Sequence, residues 1–182
     1  SGPAKSRNHG LDHSNARYIA FLDSDDFWHD DKINKQLFLL TENNAPISCT
    51  SYYHYLNNKV VRSININRKF IPYSSLLYTN SIYTSSVLID RAITGNFYMP
   101  DYYYDDYVCW LTITKNFGDC VVVNDKLMYY SLSDNSVSSN KIKSAIKVYF
   151  IYRNFLKFNI LKTIYYMFFY AIFGFLKHRS LK

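Results

Sequence analysis

The clearest hydrophobic pattern in the chain is a short apolar run at residues 18–22, which ends abruptly in three carboxylates at Asp23, Asp25 and Asp26. Its length is typical of a strand buried on both faces of a sheet. Three acids within four positions repel one another unless water, or a cation with its ligand, neutralises them. Ligands of open α/β sheets bind at the carboxyl ends of strands. The pattern therefore predicts a ligand site or, alternatively, a solvated acidic turn.

The segment after Trp28 has apolar residues at Ile33, Leu37 and Leu40. This spacing predicts an amphipathic helix whose apolar stripe carries these three side chains. Asn43, Asn44 and Pro46 provide its end. Five further segments have the composition of strands, with a hairpin turn at Asn57-Asn58 between the first two. They are residues 47–55, 59–66, 81–89, 120–123 and 127–131.

A second acidic pair, Asp105 and Asp106, precedes an apolar helical face that contains Trp110 and stops at Gly118. Helix N-termini favour acids, and capping alone explains one of the two. The second acid, beside three tyrosines, marks this helix start as a candidate site.

Composition changes sharply near residue 140. The net charge is +7, yet residues 141–182 hold nine of the 21 Lys and Arg and none of the acids. Residues 1–140 are therefore slightly acidic, which argues against nucleic acid as a partner and favours an anionic membrane surface for the tail. We predict two regions, a domain at 1–140 and a basic, aromatic-rich helical tail at 141–182.

Within the tail, Lys162 is the one charged residue between positions 160 and 176. This stretch is short for a bilayer span of about 20 residues, so we predict a helix lying in the membrane plane. The alternative is a helix that packs on the domain or on another subunit. The three cysteines, Cys49, Cys109 and Cys120, lack metal-ligand spacing and predict small buried residues in a reducing compartment.

Five motifs in series carry a resemblance to a known family. The chain resembles the family 2 inverting glycosyltransferases of the GT-A fold, those of bacterial capsule and lipopolysaccharide assembly most of all. The resemblance covers roughly residues 1 to 140 and implies an α/β fold there, a mixed nucleotide-binding sheet flanked by helices. The motifs are, in order, SGPAKSRNHGL, YIAFLDSDDFWHDDKINKQ, NSIYTSSVLIDR, FYMPDYYYDDYVCWLTI and SDNSVSSNK, the last of which contains a polar loop expected to cover a site.

The resemblance implies a nucleotide-diphosphate sugar donor, most commonly a UDP-sugar, and a divalent metal, Mn²⁺ or Mg²⁺. It assigns donor and metal contacts to Asp23 and Asp25, or to Asp25 and Asp26, since the triple acid permits two registers. Arg7 and Asn8 are expected near the donor. The acceptor is expected to be a glycan or a lipid-linked glycan, handled at the cytoplasmic face of the inner membrane.

The second acidic pair takes the chemical role in this resemblance. Asp106 is expected to be the catalytic base, with Asp105 as a neighbour that orients it. The pair is Asp-Asp where Glu-Asp is commoner in the family. Trp110, Thr84 and Ser85 are candidates on the acceptor side, although core packing explains Trp110 equally well.

One departure from the family concerns the front of the chain. The family begins with further strands that hold the nucleotide, and none precedes the first motif here, so we expect an N-terminally incomplete domain. The rival interpretations are an inactive fragment that serves as a membrane-bound binding module, and a metal-dependent phosphoryl-transfer enzyme. The latter needs a phosphate-binding glycine-rich loop, and the chain has only five Gly.

Overall fold

The computed structural model describes residues 2–102, 104–132 and 141–179, with side chains in the last range described for 143–174. The polar loop predicted at 133–139 and Tyr103 lie outside these residues. Seven strands are present in the described ranges: β1 (Tyr18–Ala20), β2 (Phe27–Trp28), β3 (Ile47–Leu56), β4 (Lys59–Ile64), β5 (Phe70–Ile71), β6 (Leu88–Asp90) and β7 (Cys120–Ser131).

The helices alternate with these strands and then form most of the described tail. They are α1 (Pro3–Asp12), α2 (Lys32–Asn43), α3 (Tyr73–Leu76), a 3₁₀ turn (Thr84–Ser86), α4 (Arg91–Thr94), α5 (Asp105–Asn116), α6 (Lys141–Phe150), a π-helical segment (Ile151–Phe155) and α7 (Ile160–Arg179). We call Thr84–Ser86 the TSS turn.

The strands form one mixed sheet in the order β1-β6-β3-β7-β2. β3 and β7 run parallel at its centre, and the remaining pairs are antiparallel, including β4 on β3 and β5 on β7. Asn57 and Asn58 both have positive φ, as the predicted hairpin turn between β3 and β4 requires. The mixed sheet with flanking helices confirms the predicted α/β fold.

Helices cover both faces of this sheet. The larger core joins α5, through Val108, Trp110 and Leu111, to inward residues of β3 and β7. A smaller cluster on the other face joins Leu40 of α2 to Val121 of β7. Because successive side chains of a strand point to opposite faces, neighbouring residues of β7 serve the two clusters in turn.

Three predicted elements differ from those observed. β1 ends at Ala20 and only Ile19 is buried, because this strand pairs with β6 alone. The segment 81–89, predicted as one strand, becomes the TSS turn followed by β6. The two short strands predicted at 120–131 form the single strand β7, since register shifts against β3 absorb the polar break between them.

Helix α2 buries a different face from the one that its apolar spacing predicts. Its most buried side chains are Lys32, Gln36 and Leu40, whereas Ile33 and Leu37 are only partly buried. The helix rotates this way because Lys32 and Gln36 have hydrogen-bond acceptors inside the fold. Burial of a polar group is tolerated when such partners are present.

The tail packs against the domain rather than apart from it. Val148, Ile151, Tyr152 and Phe158 belong to the larger core. Within the part of the chain that the structure describes, no helix combines the length and apolar character that a bilayer crossing requires. The division of the chain at residue 140 stays a prediction.

Candidate active site

The DSDD motif (residues 23–26) forms the turn between β1 and β2. The Asp26 amide donates to the Asp23 carbonyl at 3.0 Å and closes the turn. The Asp23 amide donates to Ser85 Oγ at 3.1 Å, so the motif is attached to the TSS turn. This contact joins residues 62 positions apart in the sequence.

The three carboxylates of the motif have different environments. The Ser131 amide donates to Asp26 Oδ1 at 3.0 Å, and burial raises the pKa of Asp26 although its hydrogen bonds to Ser85 and Ser131 oppose that rise. Asp25 is exposed, and among the described residues its carboxylate accepts no hydrogen bond and forms no ion pair. Asp26 is therefore used by the fold, while Asp25 is available to a ligand.

The second acidic pair lies at the start of α5, as predicted. Thr84 Oγ1 donates to Asp106 Oδ2 at 2.9 Å, and the Tyr107 amide donates to Asp106 Oδ1 at 2.7 Å. Burial raises the pKa of Asp106, and these two hydrogen bonds only partly oppose it. A carboxylate with a raised pKa is a stronger proton acceptor, which suits a general base.

Arg7 of α1 connects the two acidic groups. Its guanidinium donates to Asp23 Oδ1 at 2.7 Å and to Asp105 Oδ2 at 2.9 Å. Burial opposes the positive charge on Arg7, but the hydrogen bond to Asp23 and the fields of Asp23, Asp105 and Asp106 outweigh it and raise the pKa. The structure thus brings Arg7, Asp23 and Asp105 together.

The TSS turn is the second connection between the acidic groups. Thr84 contacts Asp106, and Ser85 contacts both the Asp23 amide and the Asp26 carboxylate. Thr84 and Ser85 were candidates for the acceptor side. In the structure their hydroxyl groups bond to the acids themselves, because the TSS turn lies between the DSDD motif and α5.

Two other candidates lie elsewhere. The Asn8 side chain pairs with the backbone of Met99, donating to its carbonyl at 2.8 Å and accepting from its amide at 2.7 Å, and so holds the loop before α5. Trp110 is fully buried in the larger core, which favours the packing alternative for this residue. The cysteines are all buried, and burial raises the pKa of Cys109 and Cys120.

The sequence reasoning missed an aromatic wall beside the acids. Tyr130 of β7 lies 5.1 Å from Tyr83, the residue before the TSS turn, measured between ring centroids. Burial, Tyr83 and the negative charges of Asp26, Asp25 and Asp23 raise the pKa of Tyr130 to about 12. Alternation along β7 gives no signal for this position, since both faces of that strand carry aromatic residues.

The sequence reasoning also missed Lys32, whose side chain is completely buried. Its ammonium lies 4.2 Å from the ring centroid of Trp28 and donates to the Val87 carbonyl at 3.3 Å. Burial lowers its pKa to about 7. The signal in the sequence was a basic residue four positions after Trp28 and one helical turn before Gln36.

This lowered pKa predicts a pH-dependent stability. Above pH 7 the folded protein loses the Lys32 proton while the unfolded chain keeps it to near pH 10, so the free energy of unfolding should rise with pH. Between about pH 7 and 9 the free energy of unfolding of the unmodified protein should rise by roughly 2 kcal/mol more than that of Lys32→Met. Urea unfolding of both proteins at each pH measures the gain, and parallel curves would contradict it.

The carboxylates fit a divalent metal only together with a ligand. No group of three His, Cys, Asp or Glu side chains that could hold an ion is present among the described residues. Asp25 has a free carboxylate, and the Asp23 side chain is 42% exposed. Mg²⁺ is commonly held by one or two carboxylates with substrate phosphates and water. Asp23 and Asp25 suit that arrangement.

A mixed sheet with acidic groups at two neighbouring turns has the features that the resemblance to GT-A glycosyltransferases predicts. Residues 1–100 match the sequence profile of glycosyl transferase family 2. The chain is 34% identical over 181 residues to UDP-Glc:alpha-D-GlcNAc-diphosphoundecaprenol beta-1,3-glucosyltransferase WfgD of Escherichia coli, covering 97% of this chain and 70% of WfgD. It is 33% identical over 185 residues to WfaP of the same species, a glucosyltransferase of the same name, covering 97% of this chain and 70% of WfaP. The chain belongs to glycosyl transferase family 2.

Solved structures agree on the fold. The S. aureus TarS 1–349 structure in complex with UDP-GlcNAc superimposes with a TM-score of 0.62 at 16% identity, covering 84% of this chain and 47% of TarS. The TarS 1–349 complex with UDP gives a TM-score of 0.60. The chain therefore spans about 70% of the two curated relatives and less than half of the TarS chain.

Proposed function

We propose that this chain is the core of a metal-dependent inverting glycosyltransferase. It transfers a sugar from a nucleotide-diphosphate donor to a hydroxyl of a lipid-linked or surface-polysaccharide glycan. The observation that carries the proposal is the pair of ion pairs from Arg7 to Asp23 and Asp105, which place the DSDD motif beside the residue next to Asp106. The donors named for WfgD, WfaP and the TarS complex support a UDP-sugar.

The proposed reaction is a single displacement. The acceptor oxygen bonds to the anomeric carbon while the bond from that carbon to the diphosphate oxygen breaks, and its electron pair leaves with the nucleoside diphosphate. Asp106 takes the acceptor proton, and Thr84 orients the accepting carboxylate. Attack from the face opposite the leaving group inverts the anomeric configuration.

The remaining residues hold and orient the donor. Asp25 and Asp23 would hold the divalent metal, which when bound supplies Lewis-acid stabilisation of the negative charge on the leaving diphosphate. Arg7 forms an ion pair with Asp23 and another with Asp105, and together these pairs hold the two carboxylates close to each other. Tyr130 and Tyr83 form the aromatic wall beside the carboxylates.

A donor screen tests this proposal in the native polypeptide. UDP-glucose and UDP-GlcNAc are supplied with a GlcNAc-diphosphate lipid, in Mn²⁺ and in EDTA, and the product is identified by mass spectrometry. We expect metal-dependent sugar transfer, and NMR of the product anomeric proton reports inversion. Nucleoside diphosphate release without transfer to a hydroxyl would favour phosphoryl-transfer chemistry, and donor binding without turnover would favour the binding module.

We also propose peripheral attachment to the cytoplasmic face of the bacterial inner membrane through α7. One face of α7, with Tyr166, Met167 and Tyr170, packs on the core. The opposite face leaves Leu161, Ile164 and Phe168 between 59% and 75% exposed.

The positive charge of the tail favours a lipid surface as the binding partner of this exposed face. Nine Lys and Arg and no acids are present from residue 141 onward, which matches anionic lipid. A second copy of the chain would oppose like charges across the same contact. The apolar side chains would then lie at the boundary between headgroups and acyl chains.

The double variant Leu161→Ser with Phe168→Ser should reduce binding to vesicles of phosphatidylcholine and phosphatidylglycerol at least tenfold, because each side chain loses about 1.5–3 kcal/mol of burial. Vesicle co-sedimentation measures it. The control Val60→Ser with Val61→Ser makes the same change at two exposed residues of β4, 46% and 51% exposed, and should leave binding unchanged. Unchanged binding of the α7 variant, with concentration-dependent dimers by light scattering, would assign this face to self-association.

A further inference from the structure

Three side chains hold three consecutive carbonyl groups at the TSS turn. Trp28 Nε1 donates to the Ser85 carbonyl at 2.7 Å, and Gln36 Nε2 donates to the Ser86 carbonyl at 2.9 Å. Lys32 Nζ donates to the Val87 carbonyl, the next along the chain. We call Trp28, Lys32 and Gln36 the carbonyl clamp.

The clamp is built at considerable cost to the fold. Lys32 and Gln36 are both fully buried, at positions of α2 where apolar residues would cover the sheet more favourably. Buried ammonium groups are destabilising unless paired, and here the partners of Lys32 are the Trp28 ring and a neutral carbonyl. The reaction proposed above does not use any of the three side chains directly.

The position of the TSS turn determines two contacts of the site. On the side away from the clamp, Thr84 donates to Asp106 and Ser85 accepts from the Asp23 amide. Since the clamp holds the carbonyl groups of the same segment, movement of the segment would break both contacts. The clamp is thus connected to Asp23 and Asp106 through the four residues 84–87.

We propose that Trp28, Lys32 and Gln36 are positioning residues of this transferase, which fix the TSS turn so that Thr84 orients the Asp106 carboxylate. The inference rests on the proposed function for its catalytic consequence. Its structural content, the effect of the clamp on Asp106 through Thr84, is measurable in the absence of turnover.

The test uses Lys32→Met, which keeps the volume of the side chain and removes the donor. Thr84→Val removes the hydrogen bond that lowers the pKa of Asp106, so it should raise that pKa. Lys32→Met should raise it as well, because the TSS turn is released. The double variant should match Thr84→Val alone, since both changes act on one contact. NMR titration of ¹³C-labelled aspartate carboxylates in the native polypeptide reads Asp106 directly.

The other titratable groups that interact with Asp106 are unchanged in these variants. They are Asp105 and Cys109 on its own helix, Arg7 from α1 and the Tyr170 hydroxyl from α7. Leu40→Ala provides the control, one turn further along α2 and in the smaller core cluster. It should lower the melting temperature without moving the Asp106 titration, whereas Lys32→Met should move the titration without lowering the melting temperature at pH 7, because it removes a buried ammonium group.

Turnover gives the second measurement. We expect Lys32→Met to lower kcat roughly tenfold, as loss of an outer partner of a reacting group commonly does, with little change in the donor KM. An Asp106 titration unchanged by Lys32→Met, or an effect that adds fully to that of Thr84→Val, would overturn the inference. Absence of transfer in the unmodified protein would refute the proposed function instead, and the NMR titration would still decide the clamp.

Discussion

Replacing Asp106 with Asn is expected to lower kcat by a factor of about 10² to 10⁴, the usual contribution of a general base. The amide is nearly the same size and still accepts a hydrogen bond from Thr84, but it cannot take the acceptor proton. Donor binding should change little, because Asp106 faces the acceptor in the proposed reaction. Initial rates of sugar transfer, with donor affinity from calorimetry, measure both quantities in the native polypeptide.

Asp119→Asn is the matched control for this change. Asp119 is exposed and lies just beyond the other end of α5. The Asp119→Asn variant should keep an unchanged kcat. That result would exclude a general effect of removing one negative charge from this region. Full turnover of the Asp106 variant would remove the base assignment.

The second large effect is expected at Arg7. In Arg7→Met, the carboxylates of Asp23 and Asp105 lose their shared cation, and the Asp105 side chain is only 12% exposed. Breaking a largely buried pair from one side typically costs 3–5 kcal/mol. Because Asp23 is more exposed, at 42%, we expect about 3 kcal/mol less free energy of unfolding, together with loss of transfer. Urea unfolding measures the stability.

An exposed ion pair of similar length provides the comparison. Lys35 Nζ lies 2.6 Å from Asp125 Oδ2, with the two side chains 45% and 58% exposed. Lys35→Met should cost much less free energy of unfolding than Arg7→Met, since water screens such pairs. Equal losses in the two variants would show that the Arg7 pairs contribute no more than a surface contact.

Several features of the fold could be predicted from local sequence because their causes are local. Asn57 and Asn58 tolerate positive φ, so the hairpin between β3 and β4 followed from two residues. The start of α5 followed from Asp105 and Asp106 ahead of an apolar face, and its end from Gly118. These signals depend on backbone conformation within a few positions.

Helix α2 shows where local reasoning failed. Apolar spacing favoured a face with Ile33 and Leu37, yet the helix buries Lys32 and Gln36. The carbonyl groups to which these two side chains donate lie 50 or more positions away, a distance that periodicity cannot register. The TSS turn was predicted as a strand for the same reason, since the groups that hold it come from α2 and β2.

The sequence by itself determined the family, the α/β class and the identities of the acids, because these depend on residue types and their order along the chain. Only the tertiary structure decided which acids meet. Arg7 reaches Asp105 across 98 positions, and Asp23 is attached to Ser85 across 62. The tertiary structure also distinguished the acids within the DSDD motif, since Asp26 accepts a hydrogen bond from the Ser131 amide while Asp25 faces solvent. Such contacts arise from how the sheet brings distant turns together, and no local pattern specifies them.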